Sequence, residues 1–270
     1  MTDAMERQAG FEQITPAVAQ EYLIHNIHNR DFRQAVHDMY VADILSGAWK
    51  VNGESVKFSR SGKLLDGQHR LTAVVTTGKT VETLVVRGLD DDTQETMDMG
   101  AKRKFSDVLK LRGEPSYTAL ASVVRAVAGW EKGERGNATA SYSTARLLAT
   151  LEKYPWLREA AHTGDRVARN ASLPTSLAGL LYFLTVQIDP EDAEDFMQRL
   201  GSDLGHEAGQ PVYELRKALE ASRTMKGERS RRYMLAISIK AWNKYRAGES
   251  IGLLMFRAGG AKPEAFPLPL

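Results

Sequence analysis

A change in hydrophobic period near Pro115 divides this sequence into two parts. Before it, short alternating or β-branched segments such as TVETLVVRGL predict strands that are separated by helices. After it, apolar residues recur with a helical period, and no convincing strand pattern lies between the predicted helices. These helices are predicted near residues 116–131, 143–152, 174–188, 190–200, 211–223 and 228–246.

The two patterns together predict an α+β fold with two domains. A small α/β domain is expected over residues 1–112, and an all-helical domain over residues 113–270 that ends in a tail rich in glycine and proline. Within the first domain, the apolar stripe between Phe32 and Gly47 predicts an amphipathic helix. The dipeptide Asn52-Gly53, between alternating segments, predicts the turn of a β-hairpin.

Composition restricts the chemistry of this chain. It contains no cysteine, which excludes disulfides, thiolate catalysis and cysteine-based zinc sites. No window approaches the roughly 18 consecutive apolar residues that a membrane-spanning helix needs. The first ten residues, MTDAMERQAG, have neither the basic nor the apolar region of a secretory signal. We therefore expect a cytoplasmic protein with no membrane partner.

The segment DGQHR places several polar side chains at the start of an apolar helix, with Asp66 expected as its N-cap and Gly78 just beyond its end. A helix N-terminus attracts anions, and a glycine in its first turn lets an anion approach the backbone. Gln68 and His69 can donate to phosphate oxygens, and Arg70 can bind them with its fork of donors. The pattern therefore indicates a phosphate site.

Asp66 leaves three interpretations open, because a carboxylate repels phosphate unless a cation or a hydroxyl lies between them. It is a helix cap, a Mg²⁺ ligand, or the general base for a hydroxyl nucleophile. The plainest alternative makes Asp66 a cap only, with His69 and Arg70 on a solvated helix face.

The sequence LLDGQHRLTAV resembles the signature of the ParB/sulfiredoxin-like superfamily, in particular its DGQHR-bearing members encoded by bacteria and phages. The resemblance covers about residues 14–112. In partition-type members, a G-x-x-R-x-x-A box binds nucleotide phosphates, and Gly67, Arg70 and Ala73 fit this box. Gln68 stands where that box has an acidic residue, so the chain departs from their pattern for CTP hydrolysis.

Two other branches of the superfamily bear on the reaction. Sulfiredoxins need a cysteine at this place, so their chemistry is excluded here. Free serine kinases of this fold carry an Asp-Gly-His-His-Arg box, which Asp66, Gly67, His69 and Arg70 match. This resemblance implies catalytic roles for Asp66 and His69, a nucleoside triphosphate as cofactor, and Mg²⁺ with Asp66 as a candidate ligand.

Four further side chains are candidates for the same phosphate site. Asn29 and Arg30 precede a predicted helix, at an end of the fold that often lies near the nucleotide in this superfamily. Arg60 lies in RSGK, just before the motif, and Arg103 lies in the basic run of MDMGAKRKF. The alternative is that these residues belong to turns with solvated charges.

The last predicted helix lies in a strongly basic stretch, since residues 216–246 carry ten lysines and arginines against Glu220 and Glu228. Such a helix can lie along a nucleic-acid backbone. The candidates for this contact are Arg229, Arg231, Arg232, Lys240 and Lys244. The alternative is a solvated basic face, with Trp242 and the neighbouring tyrosines packed in the core.

Three classes of function remain open from the sequence. The first is an enzyme of phage-linked DNA metabolism that hydrolyses a nucleoside triphosphate or transfers its phosphoryl group, and the charge of Asp66 favours it. The second is a nucleotide-gated, partition-like DNA-binding protein without catalysis. A homodimer is also compatible with the sequence. The third is an interaction module that no longer binds the nucleotide. A metal nuclease is disfavoured, because only Asp66 and Asp98 are candidate carboxylate ligands.

Overall fold

A computed structural model describes residues 6–27, 29, 31–97, 104–136, 141–202, 207–222, 228–259 and 262–270. The chain divides into two compact units. Unit 1 comprises Met1–Lys102 and Ser141–Arg146, and unit 2 comprises Arg103–Ala140 and Leu147–Leu270. Among the helices described, we find none with the length and apolarity to cross a membrane.

The described part of unit 1 contains one sheet of four strands. The strands are β1 (Gln8–Ile14), β2 (Ser55–Ser59), β3 (Leu64–Asp66) and β4 (Val81–Leu89). They lie in the order β1-β4-β2-β3, in which β2 and β4 are parallel and the other pairs are antiparallel. The outer strand β1 therefore pairs with a strand that is distant in the chain, whereas the outer strand β3 pairs with the strand just before it.

Helices cover one face of this sheet. They are α1 (Pro16–Ile24), α2 (Gln34–Leu45) and α3 (Gln68–Thr77). A 3-10 helix over Asp91–Thr96 follows β4 and contacts β3. The core between sheet and helices includes Val56, Phe58 and Val85 from the strands, together with Leu71 and Val74 from α3. Because α3 packs against both α1 and α2, the start of α3 has a defined position relative to β2 and β3.

Unit 2 contains helices and loops but no strand among its described residues. Its helices are α4 (Phe105–Leu111), α5 (Tyr117–Glu131), α6 (Thr144–Lys153), α7 (Leu157–Asn170), α8 (Thr175–Thr185), α9 (Pro190–Leu200), α10 (Pro211–Ala221) and α11 (Glu228–Arg246). The first residues of α6 belong to the segment grouped with unit 1. α8 is central, since every residue from Ser176 to Thr185 is buried and it packs on α5, α7, α9 and α11.

The predicted α+β class is confirmed. The predicted strand over TVETLVVRGL is β4, and the helix after DGQHR is α3, which ends at Gly78 with a left-handed φ of 66°. The boundary between the units differs from the predicted one at residue 112. α4 belongs to unit 2, because it buries Phe105 and Leu109 and packs against α5.

The predicted hairpin at Asn52-Gly53 is wrong. Gly53 has the positive φ of a turn, 84°, but the described residues 46–54 contain no strand to precede it. Both edges of β2 are already occupied, by β4 and by β3, so no edge is free for a hairpin partner. Trp49 instead donates its Nε1–H to the carbonyl of Glu82 at 3.0 Å.

The elements without a counterpart among the predictions include β1, α1 and α7. β1 is mostly exposed, so its sequence QAGFEQI carries no apolar alternation, and its backbone pairing with β4 holds it in place. α7 carries a face of mainly small residues, which gives a weak apolar signal. The buried residues of α7 are Leu157, Ala160, Ala161, Thr163, Gly164 and Val167.

This small-residue face lets α7 and α8 cross at very short range. A Cβ atom on Gly164 would lie 2.7 Å from the backbone nitrogen of Gly179 and 2.7 Å from the carbonyl oxygen of Thr175. A Cβ on Gly179 would lie 2.4 Å from Cγ2 of Val123 in α5. Glycine is therefore required on both helices by the approach of their backbones.

We expect Gly164→Ala to destabilise unit 2, although alanine normally favours a helix over glycine by about 1 kcal/mol. The added carbon forces the two backbones apart, and overpacking of this kind costs about 1–3 kcal/mol. Urea denaturation measures the free energy of unfolding. Gly252→Ala is the control, because its Cβ meets no atom within 4 Å. A Gly164→Ala protein as stable as the wild type would contradict the close crossing.

Candidate functional site

The turn from β3 into α3 lies at Gly67, between the last residue of the strand and the first of the helix. Gly67 has a φ of 111°, which L-residues rarely adopt, and a Cβ there would lie 3.0 Å from Cγ2 and 3.2 Å from Cα of Val56. The prediction of Asp66 as the N-cap is wrong, since Gly67 is the N-cap and no side chain caps α3. Oδ1 of Asp66 instead accepts the N–H of Gly67 at 2.7 Å.

Lys57 holds the second carboxylate oxygen of Asp66. The two residues are cross-strand partners on β2 and β3, and Nζ of Lys57 lies 2.8 Å from Oδ2 of Asp66. Burial raises the pKa of Asp66, but the hydrogen bond from Lys57 and the positive charge of Arg70 outweigh burial and hold the pKa below its usual range. Asp66 is therefore an ionised carboxylate with both oxygens engaged.

Arg70 faces the same region from the first turn of α3. Its Nη1 donates to the carbonyl oxygen of Ser55 at 2.7 Å, and its Nη2 donates to Oε2 of Glu54 at 3.1 Å. The side chain of Arg70 is 12% exposed, whereas that of Glu54 is 63% exposed. Its Cζ also lies 6.0 Å from the ring centroid of Tyr40. One nitrogen of the guanidinium is thus fixed to backbone, and the other meets an exposed carboxylate.

Gln68 and His69, the two predicted phosphate donors, are buried against the segment before α2. Nε2 of His69 accepts the backbone N–H of Arg33 at 2.9 Å, so this nitrogen carries no proton, and the ring stacks on Phe32 at 4.8 Å between centroids. Oε1 of Gln68 accepts from Nδ2 of Asn26 at 3.3 Å. In this structure, both side chains contact residues of the segment between α1 and α2.

The flanking candidates also have protein partners. Asn29 donates to the carbonyl of Leu64 at 2.9 Å and accepts from Nε2 of Gln94 at 2.9 Å, so it connects β3 to the 3-10 helix. Nε of Arg60 lies 3.3 Å from Oδ1 of Asp90 in an exposed ion pair. The remaining two candidates, Arg30 and Arg103, lie outside the described residues.

Three residues at this site were absent from the sequence-based prediction: Lys57, Glu54 and Tyr40. A signal for Lys57 was present, because it alternates with Val56 and Phe58 and so points to the opposite face of β2. The turn at RSG then places Lys57 opposite Asp66. No such local signal exists for Tyr40, which reaches Arg70 from α2.

Two of the basic side chains of α11 that were candidates for nucleic-acid contact are bound within the protein. Nζ of Lys240 donates to the carbonyl of Met255 at 2.7 Å and to Oε2 of Glu264 at 2.8 Å, and Lys244 pairs with Glu249. Lys240 and Lys244 therefore have carboxylate partners within the protein, which disfavours the prediction that they bind a nucleic-acid backbone. The side chain of Arg229 is outside the described part of the chain.

The tryptophan of α11 packs in the core, as the alternative interpretation of this helix expects. Trp242 is fully buried, and its Nε1 donates to the carbonyl of Leu270 at 3.1 Å. Asn243 donates to the carbonyl of Leu268 at 2.9 Å. The described residues of the tail contain no helix or strand, as predicted, and the end of the tail contacts α11.

A resident metal ion does not fit the residues around Asp66. Both of its oxygens are engaged, by Lys57 and by the N–H of Gly67. The described residues also contain no group of three His, Asp or Glu side chains arranged to hold a metal.

Comparisons of this chain with family models, curated proteins and solved structures give no match.

We expect Gly67→Ala to lower the free energy of unfolding more than Gly62→Ala does. Both glycines have positive φ, so both substitutions strain the backbone, at a cost of about 1–2 kcal/mol. Only at Gly67 does the new Cβ also press on Val56, whereas Gly62 has open space around it. Urea denaturation of the two variants separates backbone strain from packing. Equal losses would contradict the close approach of Gly67 to β2.

The depressed pKa of Asp66 predicts a pH-dependent contribution to stability. The ionised carboxylate stabilises the fold above its ordinary pKa of 3.8, and this contribution is lost as the pH falls through the lower pKa of the folded state. We therefore expect the wild type to exceed Asp66→Asn in unfolding free energy near neutral pH, and the difference to shrink below about pH 4. Asp31→Asn, at an exposed position, is the control. A difference that does not change with pH would contradict the ion pair.

Proposed function

We propose that unit 1 binds the phosphate groups of a nucleotide beside the start of α3, between Lys57 and Arg70. The observation that carries this proposal is the environment of Arg70. Its guanidinium is held by the carbonyl of Ser55 on one side and meets the exposed carboxylate of Glu54 on the other. When Glu54 rotates into solvent, Nη2 becomes available to an anion while Nη1 stays fixed.

The charges around this position favour an anion once Glu54 has moved. Lys57 and Arg70 contribute two positive charges and Asp66 one negative charge, which leaves a net charge of +1. The N-terminus of α3, which no side chain caps, adds about half a positive charge. A phosphate contacts such a group through charge-assisted hydrogen bonds, which are stronger than those between neutral groups.

The resemblance to the ParB/sulfiredoxin-like superfamily supports a nucleotide as the source of the phosphate. Gly67, Arg70 and Ala73 match the box with which partition-type members bind nucleotide phosphates. The small sheet with α3 after β3 is compatible with that resemblance.

The contacts of Asp66 and His69 favour binding without turnover, one of the alternatives open from the sequence. A carboxylate with a depressed pKa is a weak general base, and Asp66 is further engaged by Lys57. Nε2 of His69 accepts a backbone N–H, which removes it from proton transfer in this arrangement. We therefore propose a nucleotide-binding protein of DNA-related metabolism, in which any Mg²⁺ accompanies the nucleotide phosphates.

The test includes a substitution that should raise the affinity for a nucleotide instead of lowering it. Glu54→Gln removes the carboxylate that competes for Arg70, so we expect tighter nucleotide binding than in the wild type. Arg70→Gln removes the phosphate donor and should abolish binding. A thermal-shift panel of nucleoside triphosphates, with and without Mg²⁺, identifies the ligand. A ligand present at about 100 times its Kd stabilises the fold by about 2.7 kcal/mol. Calorimetry then gives the affinities of the variants.

The matched control is Glu21→Gln, which makes the same charge change at an exposed position of α1. It should leave nucleotide affinity near the wild-type value. The proposal is refuted if no nucleotide stabilises the protein, or if Arg70→Gln retains wild-type affinity. Weaker binding in Glu54→Gln would mean that Glu54 belongs to the site instead of competing with the ligand.

A further inference from the structure

Three arginines of unit 2 belong to the region where the loop after α5 packs against the beginning of α11, and two of them, Arg135 and Arg232, lie on neighbouring aromatic rings. They are Arg135 in the loop and Arg231 and Arg232 in the helix. The loop backbone is in close contact with the helix, because a Cβ on Gly136 would lie 2.9 Å from Cα of Arg232. We call these three side chains the arginine cluster.

Aromatic rings support two members of the cluster. Cζ of Arg135 lies 4.0 Å from the ring centroid of Trp130, and Cζ of Arg232 lies 4.8 Å from that of Phe266. The rings of Trp130 and Phe266 are themselves neighbours, with centroids 6.3 Å apart. The guanidiniums therefore lie on one aromatic surface, which limits their motion and leaves their N–H edges as the polar groups.

The cluster has no carboxylate partner among the described residues, unlike several other arginines of unit 2. Arg199 pairs with Asp195, for example, at 2.7 Å. Within the described chain, Arg232 donates no side-chain hydrogen bond, and Arg135 donates only to backbone carbonyls. Nη2 of Arg231 donates to the neutral hydroxyl of Ser176 at 2.7 Å.

This arrangement costs free energy as it stands. Burial and the positive charge of Arg232 lower the pKa of Arg135, and burial lowers the pKa of Arg231. Ser176, the partner of Arg231, lies in the first turn of α8, whose N-terminus adds a partial positive charge. Like charges in partly buried positions need a compensating anion, and the described residues do not provide one.

We propose that the arginine cluster binds phosphate groups, independently of the site in unit 1. Guanidinium forks match pairs of phosphate oxygens, and the neighbouring forks of Arg135 and Arg232 suit a ligand with more than one phosphate. Because the arginines already cover the faces of Trp130 and Phe266 on one side, the site reads phosphates and not bases. The source is the backbone of a nucleic acid, or a free polyphosphate with the same chemistry.

The decisive variant is the double substitution Arg135→Gln and Arg232→Gln. Its matched control is Arg169→Gln with Arg199→Gln, which removes the same charge from unit 2 at arginines that pair with Asp165 and Asp195. Fluorescence anisotropy with a labelled DNA duplex gives affinity across a range of NaCl concentrations. Calorimetry with sodium tripolyphosphate tests the free polyphosphate.

For DNA, we expect the double variant to bind at least about tenfold more weakly than the wild type at low salt. Its plot of log affinity against log salt should lose about two units of slope, one for each phosphate contact removed. If tripolyphosphate binding is lost instead and DNA affinity is unchanged, the ligand is a free polyphosphate. In both cases, the control variant should behave as the wild type.

The proposal is overturned if neither probe binds the wild type, or if the double variant and the control lose affinity equally. Stability provides a second readout that needs no ligand. Because the substitutions remove like charges that no described carboxylate neutralises, the melting temperature of the double variant should equal or exceed that of the wild type. A marked fall in melting temperature would assign the cluster a structural role and would also overturn the proposal.

Discussion

The carboxylate of Asp66 fixes the strand-to-helix turn of unit 1, because its two oxygens bind groups from different elements. One binds Lys57 of β2, and the other binds the backbone N–H of Gly67. The left-handed Gly67 then lies against Val56 and directs α3 back over the sheet. That direction brings Arg70 to the carbonyl of Ser55, so the geometry of the proposed phosphate site follows from one ion pair and one glycine.

Unit 2 depends on a different constraint, which is the close packing of helices around α8. Gly164 and Gly179 allow the backbones of α7 and α8 to approach until no Cβ would fit between them. Charged side chains around these helices form ion pairs at the surface, such as the pair of Arg166 and Glu194. The arginine cluster is an exception to this rule among the described residues, and charge without compensation is the reason to assign it a ligand.

Sequence patterns succeeded where the deciding interactions are local. The strand β4, the C-terminal glycine Gly78 and the buried face of α11 around Trp242 follow from period and propensity, and all are present in the structure. Patterns failed where partners come from distant segments. A hairpin at Gly53 was expected because its turn signal is local, whereas β2 pairs with β4, a strand roughly 30 residues away.

The candidate site divides in the same way. Taken by itself, the sequence determined that a glycine and several polar groups stand at the start of α3, because a helix terminus and its preferred residues lie within a few positions of each other. Only the tertiary structure decided which of them face one another. It assigned His69 to the backbone of Arg33, and it brought Lys57 beside Asp66 and Glu54 beside Arg70. Ion pairs and burial depend on strand register and helix packing, which involve residues that are remote in the chain and close only in space.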